Sequence, residues 1–117
     1  MQLQIERDGN VVVIHCQGPL VAGQTAELRT ALADAVAETG CVILELHSVS
    51  RIDSAGLGML ARLCATARGR SGDVKVVGPC GQVAEILELT LQARLLTIYP
   101  SIEAALAAFS SAVQTHA

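Results

Sequence analysis

The sequence is short of the residues that bind nucleic acids. Aromatic residues make up 2% of its 117 residues, as Tyr99 and Phe109, and tryptophan is absent. Single-strand binders need aromatic rings on which bases stack, and duplex binders need clustered lysine and arginine, which this chain does not have. Its 8 basic and 11 acidic residues leave a formal net charge of −3. We therefore expect no nucleic acid partner.

A long apolar run and a basic leader are also missing. Residues 9–26 carry no formal charge, but they include His15, Pro19 and three glycines, and their apolar core is too short to cross a bilayer. The first eight residues mix both signs of charge, unlike the start of a secretory signal. These absences predict a cytoplasmic protein without a membrane span.

Cysteines are present, but without the spacing of a metal or redox site. They are Cys16, Cys41, Cys64 and Cys80, with no Cys-x-x-Cys pair among them. Neither His15 nor His47 has a set of further ligands at helical or turn spacing. We expect cysteines that are small buried apolar residues in a reducing compartment, and no metal site.

What the chain does contain is apolar sequence arranged for one α/β domain over residues 1–117. Hydrophobic residues make up 51% and charged residues 16%, which excludes a disordered chain. The runs predict strands near residues 3–5, 11–14, 41–46, 74–77 and 95–98, and helices near 22–38, 55–70, 83–91 and from Ser101 through Val113. Asp8-Gly9 predicts an opening hairpin. The order β-β-α-β-α-β-α-β-α predicts a mixed, mostly parallel sheet with four helices.

Two of the first three strand-to-helix turns offer little chemistry. The segment from Gly18 to Gly23 lacks the Lys-Ser/Thr pair of a phosphate-binding loop, so it is interpreted as a tight turn. The segment from Gly78 to Gly81 places the Cys80 thiol near the start of a helix, but no base accompanies it. Neither turn predicts an active site.

The middle turn is more informative because it places Asp53 and Ser54 at the start of a helix. One interpretation is structural: one of the two caps the helix, and Gly56 and Gly58 allow close packing. However, each glycine in a helix costs up to about 1 kcal/mol relative to alanine. The other interpretation is modification, because a phosphoryl group on Ser54 would lie beside free backbone N–H groups at the helix start.

The segment Asp53-Ser54-Ala55-Gly56-Leu57-Gly58, which follows the apolar strand Val42–Leu46, resembles the phosphorylation segment of STAS-domain anti-sigma factor antagonists. Asp-Ser-Ser/Thr-Gly-Leu-Gly is typical there. The resemblance extends to the order of strands and helices and covers about residues 3–113. It implies the STAS fold.

The resemblance also implies partner switching. The unphosphorylated antagonist of that family binds a serine protein kinase that is an anti-sigma factor, and so frees the sigma factor for transcription, as in stress response or sporulation. The kinase phosphorylates the serine after the motif's aspartate, here Ser54, and a metal-dependent serine phosphatase removes the phosphate. The antagonist itself is not an enzyme and needs no cofactor.

This chain departs from the family pattern at two positions. Val21 stands where the family has an aspartate in the turn before the first helix, and Ala55 replaces the second hydroxyl of the motif. Ser54 is then the only phosphate acceptor of the turn. The residues expected to contact a partner are Val21, Gly23, Asp53, Ala55, Gly56, Leu57, Gly58 and Met59.

Two other functions remain open. A STAS domain of this type also fits an accessory subunit of a transport or signalling complex, without phosphorylation, and Val21 favours that alternative. A small hydrolase using Ser54 or Cys80 is disfavoured, because the flanking residues do not form a nucleophile elbow and no base is placed beside either residue.

Overall fold

A five-stranded mixed sheet organises the fold. The computed structural model describes residues 1–92 and 94–116. Its strands are β1 (Gln2–Asp8), β2 (Val11–Leu20), β3 (Cys41–Ile52), β4 (Asp73–Val77) and β5 (Thr97–Tyr99). They lie side by side in chain order, with β1 antiparallel to β2 and every other neighbouring pair parallel. The predicted mixed sheet with an opening hairpin is confirmed.

Four helices cover the two faces of this sheet unequally. They are α1 (Ala26–Glu38), α2 (Ser54–Gly69), α3 (Gly81–Thr90) and α4 (Ile102–His116). Residues of α1, α2 and α3 join the larger apolar core, whereas α4 packs on the opposite face in a smaller cluster. The Val113 side chain, predicted to face inward from α4, lies outside the described side chains. None of the helices in the described part of the chain is long and apolar enough to span a bilayer.

The central strand β3 explains the continuous apolar run that predicted it. Val42, Leu44 and Leu46 are buried in the larger core, while Ile43 is buried in the cluster beneath α4. A strand covered on both faces needs apolar residues at successive positions rather than at alternate ones. The carboxyl end of this strand leads directly into Asp53 and α2.

Both aromatic side chains belong to the face that α4 covers. The ammonium group of Lys75, itself buried, lies 4.4 Å from the centre of the Phe109 ring and 5.5 Å from that of Tyr99. Its charge is paired with Asp73 at 2.8 Å. The two rings therefore pack around a buried cation.

Several element boundaries differ from the sequence prediction. Helix α1 begins at Ala26 rather than Ala22, because Gly23 has a φ of +82° and Gln24 N–H donates to Val21 O in a turn. Strand β3 continues beyond Leu46 to Ile52 because it remains paired with β2. Strand β5 begins at Thr97 rather than at residue 95.

The expectation of four buried cysteines is correct for two of them. Cys16 and Cys64 are buried, and burial raises the pKa of each thiol to about 12, so both remain protonated at neutral pH. Cys41 is only partly buried and Cys80 is exposed. Cys80 is exposed because it stands at the start of α3, outside the apolar core.

Gly56 allows α2 to rest directly on the end of β2. A Cβ atom on Gly56 would lie 2.3 Å from Leu20 O, 2.9 Å from Leu20 Cγ and 3.0 Å from Ile52 Cγ1. Such a contact with backbone requires the helix to move. At Gly58, by contrast, a Cβ atom would have no neighbour within 4 Å. The first glycine is therefore required by packing, and the second is not.

We predict opposite effects of alanine at these two positions. Gly56→Ala should lower the free energy of unfolding by about 1–3 kcal/mol, because α2 must shift away from Leu20. Gly58→Ala should raise it by up to about 1 kcal/mol, because alanine favours the helix and meets no obstacle. Urea denaturation of both variants measures the difference. Equal changes would contradict the close approach at Gly56.

Candidate functional site

The turn between β3 and α2 is built around the carboxylate of Asp53. This residue is the N-cap of α2, in an extended backbone conformation. Its Oδ1 accepts hydrogen bonds from Ala55 N at 3.0 Å and Gly56 N at 3.1 Å. Two N–H groups that the first helical turn leaves without a carbonyl partner are thereby satisfied. The structural interpretation of the turn therefore holds for Asp53, which is the cap, and Ser54 does not cap the helix.

The other oxygen of Asp53 reaches a second turn. Oδ2 accepts a hydrogen bond from Ala22 N at 2.9 Å, in the segment between β2 and α1. The backbone N–H of Asp53 also donates to Leu20 O at 3.3 Å. One residue thus joins the end of β2, the turn after it and the start of α2.

These backbone donors set the charge of the turn. The N–H of Ala22, followed by those of Gly56 and Ala55, lowers the pKa of the Asp53 carboxyl below its ordinary value. Donors that point at the ionised form favour it, so Asp53 is a carboxylate at neutral pH. The start of α2 already has its counter-charge before any modification.

Ser54 is the first residue of α2 and is exposed, as is Ala55 after it. The expectation that a phosphoryl group would meet free N–H groups here is wrong for the three N–H groups that follow Ser54. The N–H groups of Ala55 and Gly56 donate to Asp53 Oδ1, and Leu57 N–H donates to Asp53 O at 2.9 Å. A phosphate on Ser54 would therefore stand next to a carboxylate that already uses two of these donors.

The expected contact residues separate into a set that is exposed or half-buried and a set that is buried. Gly56 and Met59 are buried, Met59 to within 1% of full burial, so neither can touch a partner directly. The prediction is wrong for these two because they lie on the inner side of α2, where Gly56 packs on Leu20 and Met59 enters the core. The remaining positions form what we call the Ser54 surface: Val21, Gly23, Asp53, Ala55, Leu57 and Gly58.

Beside the Ser54 surface lies a groove that the sequence did not reveal. Its volume is about 420 Å³, and it is lined by Val21, Ala22, Arg51, Ile52, Asp53 and Gln82. Arg51 was predictable, because side chains two apart in a strand share a side and Asp53 was already of interest. Gln82 was not, because no local pattern connects the start of α3 with the end of β3.

Neither candidate nucleophile is paired with a base. In the described side chains, Ser54 and Cys80 have no hydrogen bond to an imidazole, and the Cys80 thiol donates instead to the backbone oxygen of His47 at 3.5 Å. The ring of His15 lies between carboxylates of Glu6 at 3.1 Å and Glu45 at 3.5 Å. Among the described side chains, those of residues 1–92 and 94–110, no group of three potential ligands is arranged to hold a metal ion.

The lowered pKa of Asp53 predicts how this turn responds to acid. Stability that the carboxylate contributes is fully present above the unfolded-state pKa and is lost as the pH falls through the lower folded-state value. The advantage of the wild type over Asp53→Asn in free energy of unfolding should therefore be constant above about pH 5 and should shrink below about pH 4. Urea denaturation across this range measures it. An advantage that does not change with pH would contradict the ionised cap.

Comparison with known proteins places the fold. The family model of the STAS domain matches residues 2–105. An anti-sigma factor antagonist from Mycobacterium paratuberculosis superposes with a TM-score of 0.78 at 24% identity, covering 92% of each chain. The Bacillus cell fate determinant SpoIIAA in its phosphorylated form has a TM-score of 0.70 at 18% identity, over 88% of this chain and 96% of that one.

The same fold also occurs inside a much larger protein. The murine anion transporter Slc26a9 superposes on 92% of this chain with a TM-score of 0.73 at 21% identity, but only 18% of the transporter is covered. At these identities the superpositions show a common fold. With the family model matching residues 2–105, the chain belongs to the STAS domain family.

Proposed function

We propose that this protein is an anti-sigma factor antagonist that works by partner switching. Unphosphorylated, it binds a serine protein kinase that is an anti-sigma factor; phosphorylated on Ser54, it is released; and a metal-dependent serine phosphatase restores it. The observation that carries the proposal is the exposed Ser54 directly after the Asp53 cap of α2. Its support from the comparisons is the phosphorylated form of SpoIIAA, which has the same fold.

Access favours Ser54 as the modified residue. Ser54 is exposed, and its hydroxyl is not used by any of the hydrogen bonds described for the turn. Because Ala55 carries no hydroxyl, a kinase reaching this turn has one acceptor. Modification of Ser54 would therefore leave the cap of α2 intact.

The electrostatics of the turn indicate that a phosphate on Ser54 would lower the affinity for the partner. Phosphorylation would take the formal net charge from −3 to about −5, at a place where Asp53 is already ionised. An interface closing over this turn would bury a dianion beside a carboxylate, at a cost of several kcal/mol unless the partner supplies cations. Each 1.4 kcal/mol of this cost lowers the affinity tenfold.

The Ser54 surface is suited to close contact with another protein. Gly58 presents bare backbone, and Leu57 and Val21 add half-buried apolar side chains around the exposed Ser54. A specific interface needs about 1,000 Å² or more in total, so the partner must extend beyond this turn onto α1 or α3. Small residues at the centre let the partner approach the helix start.

A role as an accessory subunit is the second candidate, favoured by Val21 and by the Slc26a9 superposition. Valine removes the carboxylate that the family carries in the β2–α1 turn. In such a subunit the Ser54 surface would be a permanent contact. A kinase or phosphatase gene beside this one would support switching, whereas a transporter ATPase gene would support the accessory role.

We predict that a serine kinase anti-sigma factor encoded beside this chain transfers one phosphate to it from ATP. Mass spectrometry should find the phosphate on Ser54, and Ser54→Ala should receive none. The control is Ser50→Ala, which removes an exposed hydroxyl of β3 and should be phosphorylated like the wild type. A wild-type protein that binds the kinase without gaining phosphate, or Ser54→Ala gaining as much, would overturn the switching mechanism.

We also predict that Ser54→Asp weakens kinase binding without destabilising the domain. The added charge would raise the Kd by about tenfold or more, because it must be buried next to Asp53. The melting temperature should hardly change, since Asp53 caps the helix. Ser110→Asp on α4 adds the same charge on the opposite face and should leave the Kd unchanged. Equal weakening by both variants would show a general charge effect instead.

A further inference from the structure

We propose that Gln82 is a positioning residue for Ser54. Its side-chain amide holds the last residue of β3 and thereby fixes where the Ser54 turn stands. The proposal depends on the proposed function for the role of Ser54, but the amide contact itself can be tested separately. Gln82 lies at the start of α3, far from Ser54 in the sequence.

The contact uses both polar groups of the glutamine amide. Gln82 Nε2 donates to Ile52 O at 2.9 Å, and Ile52 N donates to Gln82 Oε1 at 3.0 Å. One carboxamide thus satisfies both backbone groups of one residue, as a neighbouring strand would do. Few side chains other than glutamine and asparagine carry a donor and an acceptor in this arrangement.

Ile52 needs such a partner because it lies beyond the end of the neighbouring strand. The last pair between β3 and β4 is Glu45 with Val77, so β4 ends well before Ile52. On the other side of β3, Asp53 N–H donates to Leu20 O. Backbone groups of successive strand residues point to opposite sides, so Ile52 N–H and C=O point away from β2. Gln82 replaces the missing strand at this point.

Movement of Ile52 would be passed on to Ser54. The Ile52 side chain is buried beneath the first turn of α2, where a Cβ on Gly56 would lie 3.0 Å from its Cγ1. The next residue is the Asp53 cap, and Ser54 follows. Phosphoryl transfer depends on the position of the attacking hydroxyl, and small displacements lower the rate strongly. Gln82 therefore acts on the reaction through Ile52 and does not contact the transferred phosphate.

Amide hydrogen exchange directly tests the contact between the Gln82 side chain and the Ile52 backbone. In Gln82→Leu, the protection factor of the Ile52 amide should fall by about tenfold or more, while that of Leu44 in the middle of β3 stays unchanged. At pH 7, Gln82→Glu keeps an acceptor for the Ile52 N–H but has no donor for Ile52 O, so the Ile52 amide should keep more of its protection than in Gln82→Leu. The control is Glu85→Gln on α3. Unchanged protection of Ile52 in Gln82→Leu would overturn the proposal.

Kinetics with the kinase test the effect on Ser54. Gln82→Leu should lower kcat for phosphorylation by about tenfold with KM changed less than about twofold, because binding is kept and positioning is lost. Glu103→Gln on α4, which lies on the opposite face of the sheet, should behave as the wild type. A raised KM with unchanged kcat would make Gln82 a contact residue and overturn positioning. A wild type that takes no phosphate would overturn the proposed function instead. Hydrogen exchange at Ile52 would still show whether Gln82 holds the end of β3.

Discussion

The two hydrogen-bonding oxygens of Asp53 are the constraint on which this end of the molecule depends. Oδ1 satisfies the first turn of α2, and Oδ2 reaches across to Ala22 N in the turn that follows β2. The carboxylate thus joins two strand-to-helix turns that are distant in sequence into one hydrogen-bonded unit. Its three backbone donors keep it ionised, so the unit carries a fixed negative charge next to Ser54.

The residues that build the turn are different from the residue proposed to be modified. Asp53 caps the helix, Gly56 lets it rest on Leu20, and Gln82 holds Ile52 from the other side. Ser54 takes part in none of these contacts. A hydroxyl with no structural duty can gain and lose a phosphate while the fold stays as it is, which suits a switch that acts by charge alone.

The sequence predicted the parts of the fold that depend on local pattern. The apolar run of β3 and the helical spacing of α2 predicted both elements and their order, and the Asp53-Ser54 segment predicted where α2 begins. It did not predict which glycine is buried, because Gly56 and Gly58 look alike until Leu20 is brought beneath one of them. Nor did it predict Gln82, whose amide pairs with residues of another element. Contacts between distant segments have no periodicity to reveal them.

Val21 changes what the turn after β2 contributes to the site. Where the family pattern has a carboxylate, this chain offers an apolar side chain, and the adjoining Ala22 N–H donates to Asp53. A second carboxylate beside Asp53 and a phosphorylated Ser54 would add to the repulsion that the phosphate meets. With valine, the phosphate has one ionised neighbour from these two turns, and the unmodified surface is less polar. In the proposed switch, both effects would favour tight binding before phosphorylation and would leave the release to the phosphate itself.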